Sequence, residues 1–386
     1  FKRKLENSYI RTKTIGKNHY KVIEGFGPAW VKSDTLVKGD YLVYPIVKDI
    51  IDVESIKISD YVDGDFVLEN GMIKSSDFFH DKQTYEKIIT EYNTSPVEGR
   101  MKYLSDKYGI PISTIYQWVS GNQNVRTDIV TIKNEIKIDN NFMRLLGYYI
   151  AEGSGVGDHQ IRFTFSTGEF DYMSDVRDLI AKVFGINPNS DIIIGNSTNI
   201  CVSSRLIMDL FKNLVGSGAN NKKLPQWILY LPKEKQKELI CGYWRGDGTD
   251  SDCGFQIDTS SIVLAEQMKL LFARLGFIPT FRKVHEKSRK NPKYVVEIYG
   301  EKIIDFIQIV GEHHQIIEDR VCSYNHGWND GDYLFVPIRS ITKKDYDGPL
   351  YNIEVEEDHS YATNYCVVHN CGRGTLADRQ QKLNKH

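Results

Sequence analysis

Six cysteines in 386 residues (Cys201, Cys241, Cys253, Cys322, Cys366 and Cys371) form no C-x-x-C pair. That excludes a zinc ribbon and a dense disulfide frame, and it fits a reducing compartment. No run approaches the ~18 apolar residues of a membrane-spanning helix, so no membrane partner is expected. The opening FKRKLENSYIRTK lacks the apolar stretch and small-residue cleavage site of a secretory signal, and it lacks an initiator Met. The expectation is an unexported segment, excised or truncated from a longer chain. An excess of one charge is also missing: 49 Lys and Arg against 51 Asp and Glu give a formal net charge of -2. Attraction to nucleic acid then depends on local patches. What is present is 41% apolar residues with 12% aromatics, a globular composition in a length that typical domain sizes divide into two or three domains.

One pattern recurs within the chain. LLGYYIAEG (Leu145 to Gly153) and LICGYWRGDG (Leu239 to Gly248) share a glycine, an acid five residues later and a closing glycine. These are Gly147, Glu152 and Gly153 in the first copy and Gly242, Asp247 and Gly248 in the second. Each motif precedes an alternating segment, HQIRFTFS from His159 and GFQIDTSS from Gly254, whose period of two predicts a strand with one buried face. Helical spacing follows: Met173, Val176, Ile180, Val183 and Phe184 before Gly185, and Leu264, Met268, Leu271, Phe272 and Leu275 before Gly276. Further strand-like sequence and an apolar helix ending in glycine close both copies. The motif glycine stands 69 residues before that glycine in each case, Gly147 to Gly216 and Gly242 to Gly311.

Within the motifs, Gly147 with Ala151 and Gly242 with Gly246 put small residues four apart on one helical face. This lets two helix backbones approach closely and predicts that the motif helices pack together, with Glu152 beside Asp247. Two ordinary amphipathic helices with glycine caps are the plainer alternative. Electrostatics separates the two readings. A carboxylate at a helix C-terminus faces the negative end of the macrodipole, and two such groups side by side repel further. A bound cation would remove both penalties.

Over about Asp139 to Tyr324 these residues resemble the LAGLIDADG homing endonucleases. The resemblance implies a motif-helix interface, two curved antiparallel sheets that hold DNA, and a divalent metal, Mg²⁺, at the helix ends. It implies Glu152 and Asp247 as catalytic metal ligands, with Gly153 and Gly248 completing the metal site. KKLP before the second motif resembles the basic stretch of the intein branch and gives Lys222 a catalytic role there. In the second copy Ile317 stands where repeat symmetry calls for lysine, and Arg320 is the nearest cation downstream.

Candidate DNA contacts lie along both copies. Arg162, Thr164 and Ser166 alternate on one strand, as do Gln256 and Asp258 on another, and such positions can read base edges. RKVHEKSRKNPKY crowds Arg282, Lys283, Lys287, Arg289, Lys290 and Lys293 around an expected hairpin loop, a natural phosphate contact. A solvated charge run is the commoner meaning of such a loop. Upstream, MKYLSDKYGIPISTIYQWVSGN resembles a helix-turn-helix. One helix passes through Tyr103 and Leu104, Gly109, Ile110 and Pro111 make the turn, and an N-capped helix from Ser113 offers Ser113, Thr114, Tyr116 and Gln117 to a major groove.

The end of the chain, LYNIEVEEDHSYATNYCVVHNC, predicts two short strands around a turn and resembles intein C-terminal splicing blocks. An asparagine amide can attack its own carbonyl while a histidine protonates the leaving amine, and a following thiol can accept an acyl group. By resemblance His359 and His369 assist, Asn370 cyclises and Cys371 begins the downstream host protein. Near the start, His19 and Leu36 to Asp40 fit the N-terminal block, while Gly16 stands where that block has Thr and the chain opens at Phe1 without a Cys or Ser nucleophile. The resemblance thus covers the C-terminal half of the splicing chemistry.

Together these features predict an α+β protein in which two pseudo-symmetric LAGLIDADG halves of αββαββα type interrupt an all-β Hint splicing domain. Expected boundaries are 1–60 with 332–371 for splicing, 61–135 for a linker with the helix-turn-helix, 136–230 and 231–331 for the halves, and 372–386 for host sequence. The expected function is a metal-dependent, site-specific double-strand cut in DNA by an intein-encoded endonuclease. Its partners are a long non-palindromic duplex and the host protein in cis; it is a monomer in the cytoplasm with access to nucleoid or nuclear DNA. Two rivals are a non-cleaving DNA-binding regulator on the same scaffold and an autoprocessing domain with an inert nuclease.

Overall fold

The computed structural model describes residues 10–15, 18–23, 28–75, 82–94, 98–122, 130–157, 159–189, 191–251, 254–285, 291–299, 303–311, 327–349, 353, 355–356, 359–363 and 366–369. Among them the architecture is mixed α and β, and no helix is long and apolar enough to cross a membrane. Packing divides the chain into two compact units. One, the motif unit, comprises Val53–Pro225 and Lys237–Asp247; the other, the terminal unit, comprises Phe1–Asp52, Gln226–Gln236 and Gly248–His386.

Along the chain, β1 (Ile10–Ile15) and β2 (Asn18–Ile23) pair as a hairpin, and β3 (Tyr41–Pro45) follows in the same unit. The motif unit opens with β4 (Ser55–Lys57), β5 (Phe66–Glu69) and β6 (Met72–Ser75). Asn70 and Gly71 join β5 to β6 with φ of 52° and 76°, the left-handed pair that suits the twist of a two-residue hairpin. Next come three helices, α1 (Lys82–Thr94), α2 (Arg100–Tyr108) and α3 (Ile112–Val119). They enclose their own core of Ile88, Leu104, Ile110, Ile115 and Trp118. β7 (Thr131–Lys133) then pairs with β6, and β8 (Glu135–Lys137) pairs with β4.

The rest of the motif unit is built on α4 (Asn140–Glu152), which carries the first motif and is N-capped by Asp139 accepting from the Phe142 amide at 3.0 Å. β9 (Gly153–Val156), β10 (Gln160–Ser166), α5 (Phe170–Phe184), β11 (Ile192–Ile194), β12 (Ser197–Ser203) and α6 (Arg205–Val215) follow. The four strands form an antiparallel sheet in the order β11-β12-β10-β9. Alternation along β10 buries Ile161, Phe163 and Phe165. On that side Tyr149 packs edge-on to Phe163 and stacks on Phe211, their centroids 6.2 and 4.5 Å away. The second motif lies on α7 (Lys233–Asp247), whose Lys237–Asp247 stretch belongs to this unit.

In the terminal unit, β13 (Gly248–Ser251), β14 (Gly254–Thr259), α8 (Ile262–Arg274), β15 (Pro279–Val284), β16 (Lys293–Tyr299) and α9 (Ile303–Val310) repeat the same succession. Read from the opposite edge, their sheet order, β13-β14-β16-β15, is that of the first sheet. Phe272, Phe277 and Phe306 fill its core. β17 (Trp328–Asn329) and β18 (Tyr333–Pro337) then join β3 in one antiparallel sheet, with Tyr41 opposite Pro337 and Pro45 opposite Tyr333. Segments from the two ends of the chain are thus hydrogen-bonded neighbours. β19 (Ser360–Ala362) and β20 (Val367–His369) form a final hairpin.

Three particulars differ from expectation. The packing boundary assigns residues 53–60 to the motif unit because Ser55–Lys57 completes a ladder with Glu135–Lys137. The 61–135 segment is no bare linker: β5, β6 and β7 form a sheet, and Asn213 on α6 donates to the Tyr61 carbonyl at 2.7 Å. Finally, α3 begins at Ile112 after Pro111, with no side-chain cap; the fixed φ of proline starts the helix where a serine cap was expected.

Candidate active site

The motif helices touch through their glycines. A Cβ on Gly147 would lie 2.2 Å from the Leu239 carbonyl oxygen, and one on Gly242 would lie 2.1 Å from that of Arg144. Farther along, a Cβ on Gly246 would lie 2.4 Å from that of Ala151 and 3.0 Å from Glu152 Cγ. Backbone therefore meets backbone, which only small residues permit, and both helices end at the same level. Glu152 is the last residue of α4 and Asp247 the last of α7. Glu152 is half-buried and Asp247 exposed.

Burial first, then the Asp247 carboxylate and Glu169, push the Glu152 carboxyl up to about 8, against an opposing pull from Lys222. Lys222 is 8% exposed. Its Nζ donates to the carbonyls of Tyr149 at 3.0 Å, Ile150 at 2.6 Å and Gly153 at 3.0 Å. Desolvation pulls this ammonium down to about 8, and Asp247 and Glu152 oppose that fall. The Gly153 carbonyl thus already serves Lys222, while Gly248 opens β13 opposite Ile257.

A polar network that the sequence did not announce fastens the helices together. Asp175 Oδ2 on α5 accepts from Tyr148 Oη at 3.0 Å and from Arg245 Nη1 at 3.0 Å, with Arg144 Nη1 at 3.6 Å. Arg144 Nε in turn donates to Glu238 on α7 at 2.6 Å. Arg144 and Tyr148 at i and i+4 were visible as one helical face. Their partners are far away in sequence, so the network was not.

Residues 234–311 match the family described as the LAGLIDADG-like domain. The chain carries a LAGLIDADG-like domain. An uncharacterized protein of Methanocaldococcus jannaschii is 35% identical over 256 residues, 62% of this chain and 31% of that protein. The ATP-dependent DNA helicase Hel308 of Thermococcus kodakarensis is 30% identical over 59% of this chain and 21% of its own length. The chain therefore spans less than a third of each of these curated relatives. Two structures of the homing endonuclease I-DmoI, one in complex with DNA and Mn, are 16% identical and cover 46% of this chain and 98% and 99% of theirs, with TM-scores of 0.37 and 0.36.

Within the LAGLIDADG-like region and its first-copy counterpart, the expected DNA contacts fall on sheet faces. Arg162, Thr164 and Ser166 share the polar face of β10, where Thr164 Oγ1 donates to Asn199 at 2.9 Å. In the second sheet Arg282 Nη2 reaches Gln256 at 3.4 Å and Lys293 Nζ donates to Asp258 at 2.6 Å. Arg282 Nε also lies 3.7 Å from Glu297 Oε2, so acids of their own sheet partly neutralise both cations, whereas Lys283 is exposed. Lys287, Arg289, Lys290 and Arg320 lie outside the described residues. On α3, Ser113 and Tyr116 are exposed and Thr114 and Gln117 half-buried, on the side opposite the buried Ile115 and Trp118.

Of the splicing candidates, the described ones gather in the terminal unit. His359 and His369 have ring centroids 6.2 Å apart, and Trp30 meets His369 edge-on at 5.3 Å. His359 adopts a φ of 51°, rare for a side chain other than glycine. His19 lies in β2, its side chain outside the described set, and Asn370 and Cys371 also lie outside it.

Proposed function

We propose that the chain is an intein-borne endonuclease that makes a metal-dependent, site-specific double-strand cut in DNA. The observation that carries this reading is the glycine-to-backbone contact of α4 with α7, which sets the Glu152 carboxyl against Gly246, next to Asp247. The residues fit a divalent cation: burial and the neighbouring acids Asp247 and Glu169 disfavour the ionised form of Glu152, and a hard cation among oxygen donors would offset that penalty. Glu152 and Asp247 would hold Mg²⁺. When bound, the ion supplies a Lewis acid that activates water and takes up charge on the phosphodiester oxygens. The chain's own part is to bring the two carboxylates together by helix packing and to grip DNA from the polar sheet faces. There Arg162, Arg282 and Lys283 engage phosphates and Thr164 and Gln256 meet base edges. The three-helix segment adds a contact through Ser113, Thr114, Tyr116 and Gln117.

The intein part of the reading draws on two supports. One is the pairing of β3 with β18, strands from opposite ends of the chain, in the unit that also holds His359 and His369. The other is that relatives as different in name as a helicase match over a small share of their length, the pattern of a portable insert. In this reading Asn370 attacks its own carbonyl and His369 protonates the amine that leaves on Cys371.

Cleavage is tested on plasmids that carry candidate uninterrupted host junctions. Mg²⁺-dependent linear product from the wild type, absent with Glu152→Gln or Asp247→Asn, supports the reading; binding without a cut at every site would leave the regulator. For splicing, mass spectrometry should find scission after Asn370 and none in Asn370→Ala.

A further inference from the structure

We infer that Lys222 is a positioning residue that fixes the acid-bearing end of α4 and takes no part in proton transfer. This deepens the endonuclease reading of Glu152 and Asp247 and rests on it. An α-helix leaves its last carbonyls without intrahelical donors and concentrates partial negative charge there. At the end of α4 the difficulty is compounded, because the terminal residue is itself an acid with a second acid close by. The usual remedy, a left-handed residue that folds the chain back over the last turn, is absent: Gly153 is extended, with φ of -80° and ψ of 138°, and leads straight into β9.

Lys222 takes the place of that remedy. Its three contacts, to Tyr149, Ile150 and Gly153, use all three N–H donors of an ammonium, and they bracket Glu152 on both sides in sequence. The Nζ also sits 5.5 Å from the Tyr149 ring centroid, where a cation is favoured. The lysine is delivered by a fixed segment. The Lys223 amide donates to the Val215 carbonyl at 2.9 Å, Leu224 is buried, and a Cβ on Gly216 would lie 2.4 Å from the Asn221 carbonyl oxygen. A general acid must point an N–H at its substrate, whereas every N–H of Lys222 is committed to backbone.

The test compares the full chain with Lys222→Met, which keeps the apolar stem and removes the ammonium. Backbone amide exchange is expected to speed up about tenfold at Tyr149 to Gly153, the scale of a lost cap. The Mg²⁺ concentration for half-maximal cleavage should rise about tenfold, as when a ligand loses its supporting contact, while the rate at saturating Mg²⁺ largely recovers. Should Lys222→Met not fold, Lys222→Arg keeps the charge without the three-carbonyl fit and should give intermediate exchange. Unchanged exchange and Mg²⁺ dependence, with a saturated rate lower by about a hundredfold or more, would overturn the inference. Failure of the wild type to cut any DNA would defeat the endonuclease reading, while amide exchange would still decide whether Lys222 is the cap.

Discussion

Glu152→Gln should abolish cleavage and yet stabilise the metal-free protein at alkaline pH. In the folded chain the Glu152 carboxyl keeps its proton up to about 8, against an ordinary value of 4.5. The folded value is raised, so the associated stability is fully present below pH 4.5 and is lost as pH climbs through about 8. That interval corresponds to about 4.8 kcal/mol at most, and partial solvation of the side chain reduces it to about 3 kcal/mol. Glutamine has nearly the same shape and no proton to lose. The variant should therefore match the wild type near pH 4.5 and exceed it by about 3 kcal/mol at pH 9, roughly 6–12 °C in Tm for a unit of this size. Mg²⁺ should reverse the order, because it stabilises only the form that binds it. Calorimetric or circular-dichroism melts across pH, in EDTA and in Mg²⁺, measure both effects. A Tm difference that stays flat from pH 5 to pH 9 would refute the proposed crowding of carboxylates.

Gly147→Ala forces a methyl to within 2.2 Å of the Leu239 carbonyl oxygen; urea titration should show a loss of about 3 kcal/mol or more, with cleavage failing as α4 and α7 separate. Asp175→Asn removes the anion shared by Arg144 and Arg245, and about 1–3 kcal/mol of stability should go with it by the same titration. In the terminal unit, Arg274 donates to the Val47 carbonyl at 2.6 Å and to the Asp49 carbonyl at 2.8 Å. Arg274→Ala should leave these half-buried and exposed acceptors without that donor, at about 1–2 kcal/mol in denaturant unfolding. If Lys283 meets a phosphate, Lys283→Ala should lower the slope of log affinity against log salt by about 0.9 in a binding titration.

Local chemistry made a good part of the architecture readable. Strand alternation placed Ile161, Phe163 and Phe165 inside and Arg162, Thr164 and Ser166 on the polar face, as observed, because a period of two admits only that division. The spacing of Gly147 and Ala151, and of Gly242 and Gly246, signalled a close helix pair because a missing side chain has one obvious use on a helical face. Beyond the reach of local rules lay everything that depends on a distant partner. Lys222 could be picked out from KKLP, but its three backbone acceptors were set by where α4 happens to end. Asp175 resembled any surface acid of an amphipathic helix until Tyr148, Arg144 and Arg245 converged on it.

The acids themselves show where the division falls. The sequence alone determined that Glu152 and Asp247 end equivalent helices, since helix periodicity and glycine spacing are encoded within about ten residues. Only the tertiary structure decided that Glu152 is half-buried, that Glu169 crowds it and that its proton is held to about 8. Proton affinity depends on dielectric surroundings and on charges brought near by folding, and neither is a property of the local chain.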